Sequence, residues 1–291
     1  DIKGCVIIGE GEKDEAPMLY CGEIVGMQNS DSMEVDIAVD PVDGTTMTAN
    51  GMGNAISVIA MGERGSMMSI PCFYALKLAC GPELRGHMDL NASLTENIHV
   101  AAARLDKSYA DITVAVLNRP RHDEFIKEIR SLGCRIKLIQ DGDIAAAIAT
   151  CDEEHGIDFY YGIGGAPEAV ISAVAMKALE GDLQVKMWPT KPEEKEALIA
   201  RMDQESKDDI HLIFSYDEEQ IGSRMTTNYI VIPNNCTIKQ AMRHLISQAE
   251  DNDNIDTIYV EDENGRYFGA IELKDLITAR EYMKLEDIIS T

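Results

Sequence analysis

The stretch Val35 to Thr46, VDIAVDPVDGTT, constrains this chain more than any other. An apolar strand runs straight into two aspartates, a proline, a glycine and a threonine. Asp40 and Asp43 then converge just beyond a sheet edge, while the next backbone N–H groups are free for a phosphate. A second acidic turn repeats the plan: Cys5 to Ile8 reads as a buried strand, and Gly9-Glu10-Gly11-Glu12 follows it directly. One acidic loop is ordinarily a solvated surface feature. Two of them, each at the end of an apolar strand, point to carboxylates delivered to one place.

A net charge of -25 over 291 residues argues against nucleic acid or an anionic membrane as a partner. A phosphorylated substrate would also be repelled unless metal ions or local arginines invert the field, so a cation is required. The seven cysteines (Cys5, Cys21, Cys72, Cys80, Cys134, Cys151, Cys236) form no CxxC pair and fall mostly in apolar segments. That usage predicts buried thiols in a reducing cytoplasm rather than disulfides or zinc sites. No apolar run reaches the length of a membrane span and no signal peptide is visible. The chain opens on Asp1 almost inside a strand, which predicts a natural N-terminus further upstream.

The first two-thirds alternates strands with helices. Asn54 to Met61 and Ile112 to Leu117 read as strands, and a helix from His122 to Leu132 leads to a strand from Arg135 to Gln140. Asp141-Gly142-Asp143 reads as a turn and N-cap opening the helix Ile144 to Thr150. Ile157 to Tyr161 is a strand, Gly162 to Glu168 (GIGGAPE) a glycine-rich turn, and an apolar helix runs on to Leu179, with Pro167 in its first turn. This is an α/β layout whose strand ends build ligand sites. The pattern breaks at Trp188 to Pro192, a charged helix spans Glu193 to Met202, and a boundary falls near residue 205, giving domains 1–204 and 205–291. The second domain reads as a βαββα unit: strand Tyr229 to Ile232, helix Ile238 to Ala249, strand Thr257 to Glu261, strand Tyr267 to Glu272 and helix Lys274 to Ile277. Asn264-Gly265 supplies its hairpin signal.

IGEGE at Ile8 to Glu12, DEAPMLY at Asp14 to Tyr20, DIAVDPVDGT, RPRH at Arg119 to His122, DGD at Asp141 to Asp143 and GIGGAPE occur in one order and spacing. In this, residues 1 to 203 resemble class II fructose-1,6-bisphosphatases, within the lithium-sensitive, metal-dependent sugar phosphatase superfamily. Residues 205–291, with MTTNYIVIPNNCTIKQAM and DTIYVEDENGRYFGAIELKDLI, resemble a CBS domain, most closely the first CBS repeat of MgtE-type magnesium channels. The resemblance implies a layered sugar-phosphatase-type α/β core, incomplete at both ends, joined to a small CBS-like unit. Relatives carry an upstream aspartate and a longer downstream portion, and here the CBS-like unit stands in the latter's place.

By the same resemblance Glu10, Asp40, Asp43 and Glu168 correspond to metal ligands for Mg2+ or Mn2+, although glutamate is commoner than aspartate at position 43 in the family. Gly44 and Thr45 correspond to residues at a helix start that hold the 1-phosphate, with the Thr45 hydroxyl positioning the attacking water; Asp40, Asp43 and Thr45 form the catalytic set. Tyr74, Arg119 and Arg121 correspond to contacts with the far phosphate and sugar, and Asp43, Asp141, Gly142, Asp143 and Gly165 to contacts with phosphate, sugar hydroxyls and backbone. The implied activity is hydrolysis of the 1-phosphate of fructose 1,6-bisphosphate, and of sedoheptulose 1,7-bisphosphate, in gluconeogenesis or the reductive pentose phosphate cycle, by a cytoplasmic homo-oligomer. An adenine nucleotide or Mg2+ is implied at the CBS-like unit. Two readings compete: a regulatory nucleotide- or Mg2+-sensing protein with an inactive core, and a non-functional chimera of joined fragments.

Plainer roles exist for several residues. Arg119 and Arg121 beside a proline suit surface ion pairs. Asp143 suits an N-cap, Gly164-Gly165 close strand–helix packing, and His122 a helix cap rather than catalysis. Glu12 either supports a ligand or is solvated. The fifteen methionines read as core and loop filler.

Overall fold

The computed structural model describes residues 2–9, 18–27, 32–204, 206–208, 210, 229–249, 252, 255–280 and 282–289. The chain forms two compact units, Asp1–Arg201 and Met202–Thr291. Glu10 and Glu12 lie outside the described residues.

Two sheets build the first unit. β1 (Ile2–Ile8), β2 (Ile24–Gly26), β3 (Met33–Asp43) and β4 (Ile56–Glu63) form one, in the order β2-β1-β3-β4, with β1 and β3 parallel. β5 (Tyr74–Cys80), β6 (Thr113–Leu117), β7 (Arg135–Ile139), β8 (Phe159–Gly165) and β9 (Asp182–Met187) form the other, in the order β7-β6-β8-β5-β9. Here β7, β6 and β8 run parallel, while β5 is antiparallel to both β8 and β9. The C-terminal ends of β6, β7 and β8 therefore share one edge with the N-terminal end of β5, where Tyr74 faces Gly165.

Periodicity explains the layering. On one face of the five-stranded sheet Leu76, Leu78, Phe159 and Ile163 pack with Ile98 and Ala101 of α2 (Leu94–Arg104) and with Ile126 and Ile129 of α3 (Asp123–Ser131). On the other face small residues predominate: Ala79 and Ala115 meet Ala146 and Ala147 of α4 (Asp143–Ala149), and Tyr160 meets Met176 of α5 (Ala166–Ala178). The far flanks of α4 and α5 carry Ile144 and Ile171, which pack on Ile8, Ala38 and Ala60 of the four-stranded sheet. Helices, sheet, helices and sheet thus stack in turn, the layered α/β core expected from the sequence.

The strand from Arg135, the helix after residue 122, the strand at Thr113–Leu117 and the charged helix, α6 (Pro192–Arg201), lie where the sequence places them. Three features differ. GIGG is not a turn: Gly162 to Gly165 complete β8. β3 continues through Pro41 to Asp43, with its register against β4 shifting between Asp40 and Asp43. Asp143 does not cap α4; Gly142 does, at φ 80°, and Asp143 is the helix's first residue. The sequence reading passes over β2, β5, β9 and α2, although DLQVKM of β9 alternates polar and apolar residues and Ser93 with Glu96 forms a capping box at the start of α2.

All seven cysteines are free thiols, with Cys21 exposed. No helix among the described residues is long and apolar enough to cross a membrane.

The second unit is a β-α-β-β-α arrangement: β10 (Ile230–Pro233), α7 (Ile238–Gln248), β11 (Thr257–Glu261), β12 (Tyr267–Glu272) and α8 (Leu273–Thr278), with sheet order β10-β11-β12. A reciprocal cap between Thr237 and Gln240 starts α7. The β11–β12 hairpin turns as Asn264-Gly265 predicts, with Gly265 at φ 70° and Asp262 Oδ1 accepting from the Asn264 and Arg266 N–H groups. Ile230, Ile232, Ala241, Ile258 and Ile271 form its core.

Candidate active site

Sequence dictates where the carboxylates go. Beyond Val39 the strand bulges, because the Val42 N–H folds back to Asp40 Oδ1 at 2.9 Å. Gly44 then takes φ 100°, and a Cβ there would stand 2.6 Å from Met47 Cε, so only glycine makes this corner into the one-turn helix α1 (Thr45–Ala49).

The bulge sends the two aspartates to adjacent cavities. Asp40 lines a small one, of about 30 Å³, together with Ile8, Gly9, Pro167 and Glu168. Asp43 lines a larger one, of about 190 Å³, with Tyr74, Arg119, Arg121, Asp141, Gly142, Asp143, Gly165 and Glu168. Glu168 borders both. Of the residues named from sequence, nine thus meet at the larger cavity, Asp40 lines the smaller one, and Gly44 and Thr45 line neither. Thr45 is exposed at the start of α1, and the neighbouring Thr46 N–H donates to Asp141 Oδ2 at 3.2 Å.

The cavity lining is rich in carboxylates: Asp43, Asp141, Asp143 and Glu168. Asp43 is buried and its Oδ2 has no hydrogen-bond donor. Its carboxyl is pushed up to about 7, first by burial and then by the charges of Asp143, Asp40, Glu168 and Asp141. Gly164 and Gly165 serve this crowding: a Cβ on Gly164 would lie 1.9 Å from Asp143 Oδ2, and one on Gly165 1.7 Å from Glu168 Oε2. The glycines make room for carboxylates.

Two arginines share that lining. Arg121 donates through Nε and Nη2 to the Ile163 carbonyl and lies over the Tyr74 ring, 4.9 Å from its centroid. Arg119 makes a long ion pair with Asp141, 3.8 Å between Nη2 and Oδ1. His122 stands at the N-cap of α3, but its side chain does not cap the helix. Fully buried, its Nδ1 bonds the Leu117 carbonyl at 2.7 Å and its Nε2 accepts from the Ile163 N–H at 2.8 Å. It bridges β6 and β8 beyond Ala115 and Tyr160, where their ladder stops, and burial holds its pKa below the ordinary value.

Two residues that sequence reasoning missed lie under the site. Lys77 of β5 is buried and pairs with Asp143 Oδ2 at 2.8 Å, and the Tyr160 hydroxyl approaches the same oxygen at 3.4 Å. A lone lysine inside the apolar run YALKLAC was the available signal.

A hard divalent cation fits this donor set, given the buried, donorless Asp43 oxygen among four other carboxylates. Among the described residues, no three carboxylate, histidine or cysteine side chains are grouped closely enough to hold a metal ion by themselves. By contrast, the buried Asp36 on β3 is structural: burial would raise its pKa, but the Met67 N–H, Arg64 and the Gly65 N–H together bring it below normal.

Residues 1–218 match the family model described as bacterial fructose-1,6-bisphosphatase, glpX-encoded, and residues 219–282 match the CBS domain. Over 187 residues the chain is 49% identical to fructose-1,6-bisphosphatase 1 class 2 of Escherichia coli (strain K12), covering 64% of this chain and 55% of that protein. Fructose-1,6-bisphosphatase class 2 of Shigella flexneri gives the same values. The chain therefore spans about half the length of the curated relatives it matches. Among solved structures, the cytosolic domain of the Mg2+ channel MgtE in complex with ATP is similar at a TM-score of 0.33 and 25% identity, covering 43% of this chain and 45% of that one. The soluble part of a magnesium transporter gives a TM-score of 0.35 and 17% identity, covering 69% of each chain. Its family use a divalent metal, and by the match over residues 1–218 the chain belongs to the glpX-encoded bacterial fructose-1,6-bisphosphatases, with a CBS domain following.

Proposed function

We propose that this chain is a metal-dependent phosphomonoesterase acting on the 1-phosphate of fructose 1,6-bisphosphate. The observation that supports the reading is a single cavity lined both by clustered carboxylates, Asp43 and Glu168 among them, and by Arg119, Arg121 and Tyr74. A molecule with an anionic group at each end of a polyol matches that mixed lining: one phosphate needs a cation between it and the carboxylates, and the other can meet guanidinium directly.

Asp40, Asp43 and Glu168, with Glu10, are the residues that would hold Mg2+ or Mn2+. When bound, such an ion neutralises phosphate oxygens, lowers the pKa of a water and stabilises the leaving oxygen. Thr45, at the start of α1 and outside the cavity wall as it stands, would supply a hydroxyl for orienting water, and Gly44 beside it would meet the reacting phosphate. Arg119, Arg121 and Tyr74 take the far phosphate, and Asp141, Gly142, Asp143 and Gly165 take sugar hydroxyls. Sedoheptulose 1,7-bisphosphate fits the same description, with gluconeogenesis or the reductive pentose phosphate cycle as the setting, in the cytoplasm and as a homo-oligomer. The CBS domain is the regulatory part, answering to an adenine nucleotide or Mg2+.

Phosphate release from fructose 1,6-bisphosphate by the purified chain, with Mg2+ or Mn2+ and after chelation, tests the reading. Release that depends on the ion and yields fructose 6-phosphate is expected; no release with either ion overturns it.

A further inference from the structure

Among the described residues, Lys77 is the only lysine or arginine that is buried, at 2% exposure. Stability does not account for it. Burying an ammonium and a carboxylate costs several kcal/mol in desolvation, and replacing such a pair by apolar residues is often neutral or stabilising. On β5 an aliphatic residue would suit the run YALKLAC at least as well.

What the pair does is fix one oxygen of one carboxylate. Lys77 faces Gly162 across the β5–β8 ladder, and its Nζ reaches Asp143 Oδ2 at 2.8 Å. The Tyr160 hydroxyl donates to the same oxygen at 3.4 Å. Gly164 keeps this spot open, since a Cβ there would lie 1.9 Å from Asp143 Oδ2 and 3.3 Å from Lys77 Nζ. Asp143 lines the cavity and Lys77 does not. With Oδ2 held from below by both donors, Oδ1 is the oxygen left for the cavity. The hold also matters because Asp143 shares the cavity wall with Asp43 and Glu168. A carboxylate loose at that position could turn toward a cation and join the metal-binding set.

We propose that Lys77 is a positioning residue for substrate: through its bond to Oδ2 it reserves Asp143 as an acceptor for a sugar hydroxyl. This rests on the sugar-phosphatase reading for the identity of the ligand. Lys77 touches no substrate, and its effect passes entirely through Asp143.

The experiment measures calorimetric binding of fructose 6-phosphate and, separately, inorganic phosphate to the full chain with Mg2+ present. Native protein is compared with Lys77→Met, Asp143→Asn and the double variant. Loss of one charge-assisted hydrogen bond corresponds to about tenfold in affinity. Expected are about tenfold weaker fructose 6-phosphate binding in Lys77→Met and in Asp143→Asn, no further loss in the double variant, and unchanged phosphate binding throughout. Native sugar affinity in Lys77→Met, multiplied losses in the double variant, or a parallel loss of phosphate binding would each overturn the proposal. Should Lys77→Met not fold, Gly164→Ala displaces the same oxygen without removing a charge and is expected to give the same selective loss; unchanged sugar affinity there overturns it too. If the native chain binds fructose 6-phosphate but releases no phosphate from the bisphosphate, the phosphatase reading fails while the Lys77 assignment stands. If it turns over normally and Lys77→Met binds sugar as native, the reverse holds. A native chain that binds no hexose phosphate sinks both.

Discussion

Arg121 is fastened to Ile163: both Nε and Nη2 donate to the one main-chain carbonyl, at 3.0 and 2.9 Å. The guanidinium is therefore pre-set by β8, and its remaining N–H groups are what it can offer a ligand. Arg121→Ala should raise KM for fructose 1,6-bisphosphate by roughly tenfold to a hundredfold, the size of one charged hydrogen bond. KM for fructose 1-phosphate, which lacks the far phosphate, should barely move. An equal rise for both substrates would place Arg121 in the scaffold or at the reacting end.

The same residue Ile163 is held from its N–H side by His122, whose other ring nitrogen takes the Leu117 carbonyl. His122→Ala leaves two buried backbone groups without partners, each worth about 1–3 kcal/mol. We expect a loss of stability of about 2–4 kcal/mol in urea unfolding, together with a rise in KM like that of Arg121→Ala, because the anchor of Arg121 loosens. Normal KM alongside the stability loss would mean that β8 keeps its place without the bridge.

How much of this was legible in the chain depends on what kind of force places each residue. Asp40, Asp43 and Glu168 announce themselves because they sit at strand or helix ends, where local chain chemistry already decides the outcome. Asp143 was legible as a polar residue at a helix start, yet its partner is Lys77, 66 residues away on an antiparallel strand, and no local rule connects the two. His122 does stand at the N-cap of α3, yet what its side chain does was hidden for the same reason. Its bonds answer a gap between β6 and β8 that exists only once the sheet is assembled. The glycines of GIGG looked like a turn because glycine usually serves backbone freedom. Here Gly164 and Gly165 stay in the strand, and what they supply is empty space beside Asp143 and Glu168.

Asp40→Asn separates charge from shape. Its Oδ1 accepts from the Val42 N–H, a bond that an asparagine oxygen can also accept, so the bulge should persist. Phosphate release is expected to fall by at least a hundredfold, while the melting curve of the metal-free protein moves little. Activity within a few-fold of native would remove Asp40 from the metal set.

Asp43 gives the sharpest test, because its state in the fold and in the unfolded chain differ. Burial and four neighbouring carboxylates push its pKa to about 7 from the ordinary 3.8. Between those two values the unfolded chain has released this proton and the folded one keeps it, so its contribution to stability falls as pH rises across that window and is flat above about 7. Asp36 works in the opposite sense. Its lowered pKa adds stability that is present above the ordinary aspartate value and is lost only in acid. His122, whose pKa burial holds below the ordinary value, adds stability as pH rises within the same window, so for the metal-free protein the Asp43 effect is read as a melting temperature that declines, relative to Asp43→Asn, from about pH 5 to pH 7 and then levels. Asp43→Asn should melt higher than native protein at pH 8, since it takes one charge out of a repulsive cluster. Adding Mg2+ or Mn2+ at pH 8 should raise the native melting temperature by mass action and leave that of Asp43→Asn nearly unchanged. A variant that is no more stable than native at pH 8, or that gains as much from the ion, would show that Asp43 is neither the strained carboxylate of this site nor a ligand.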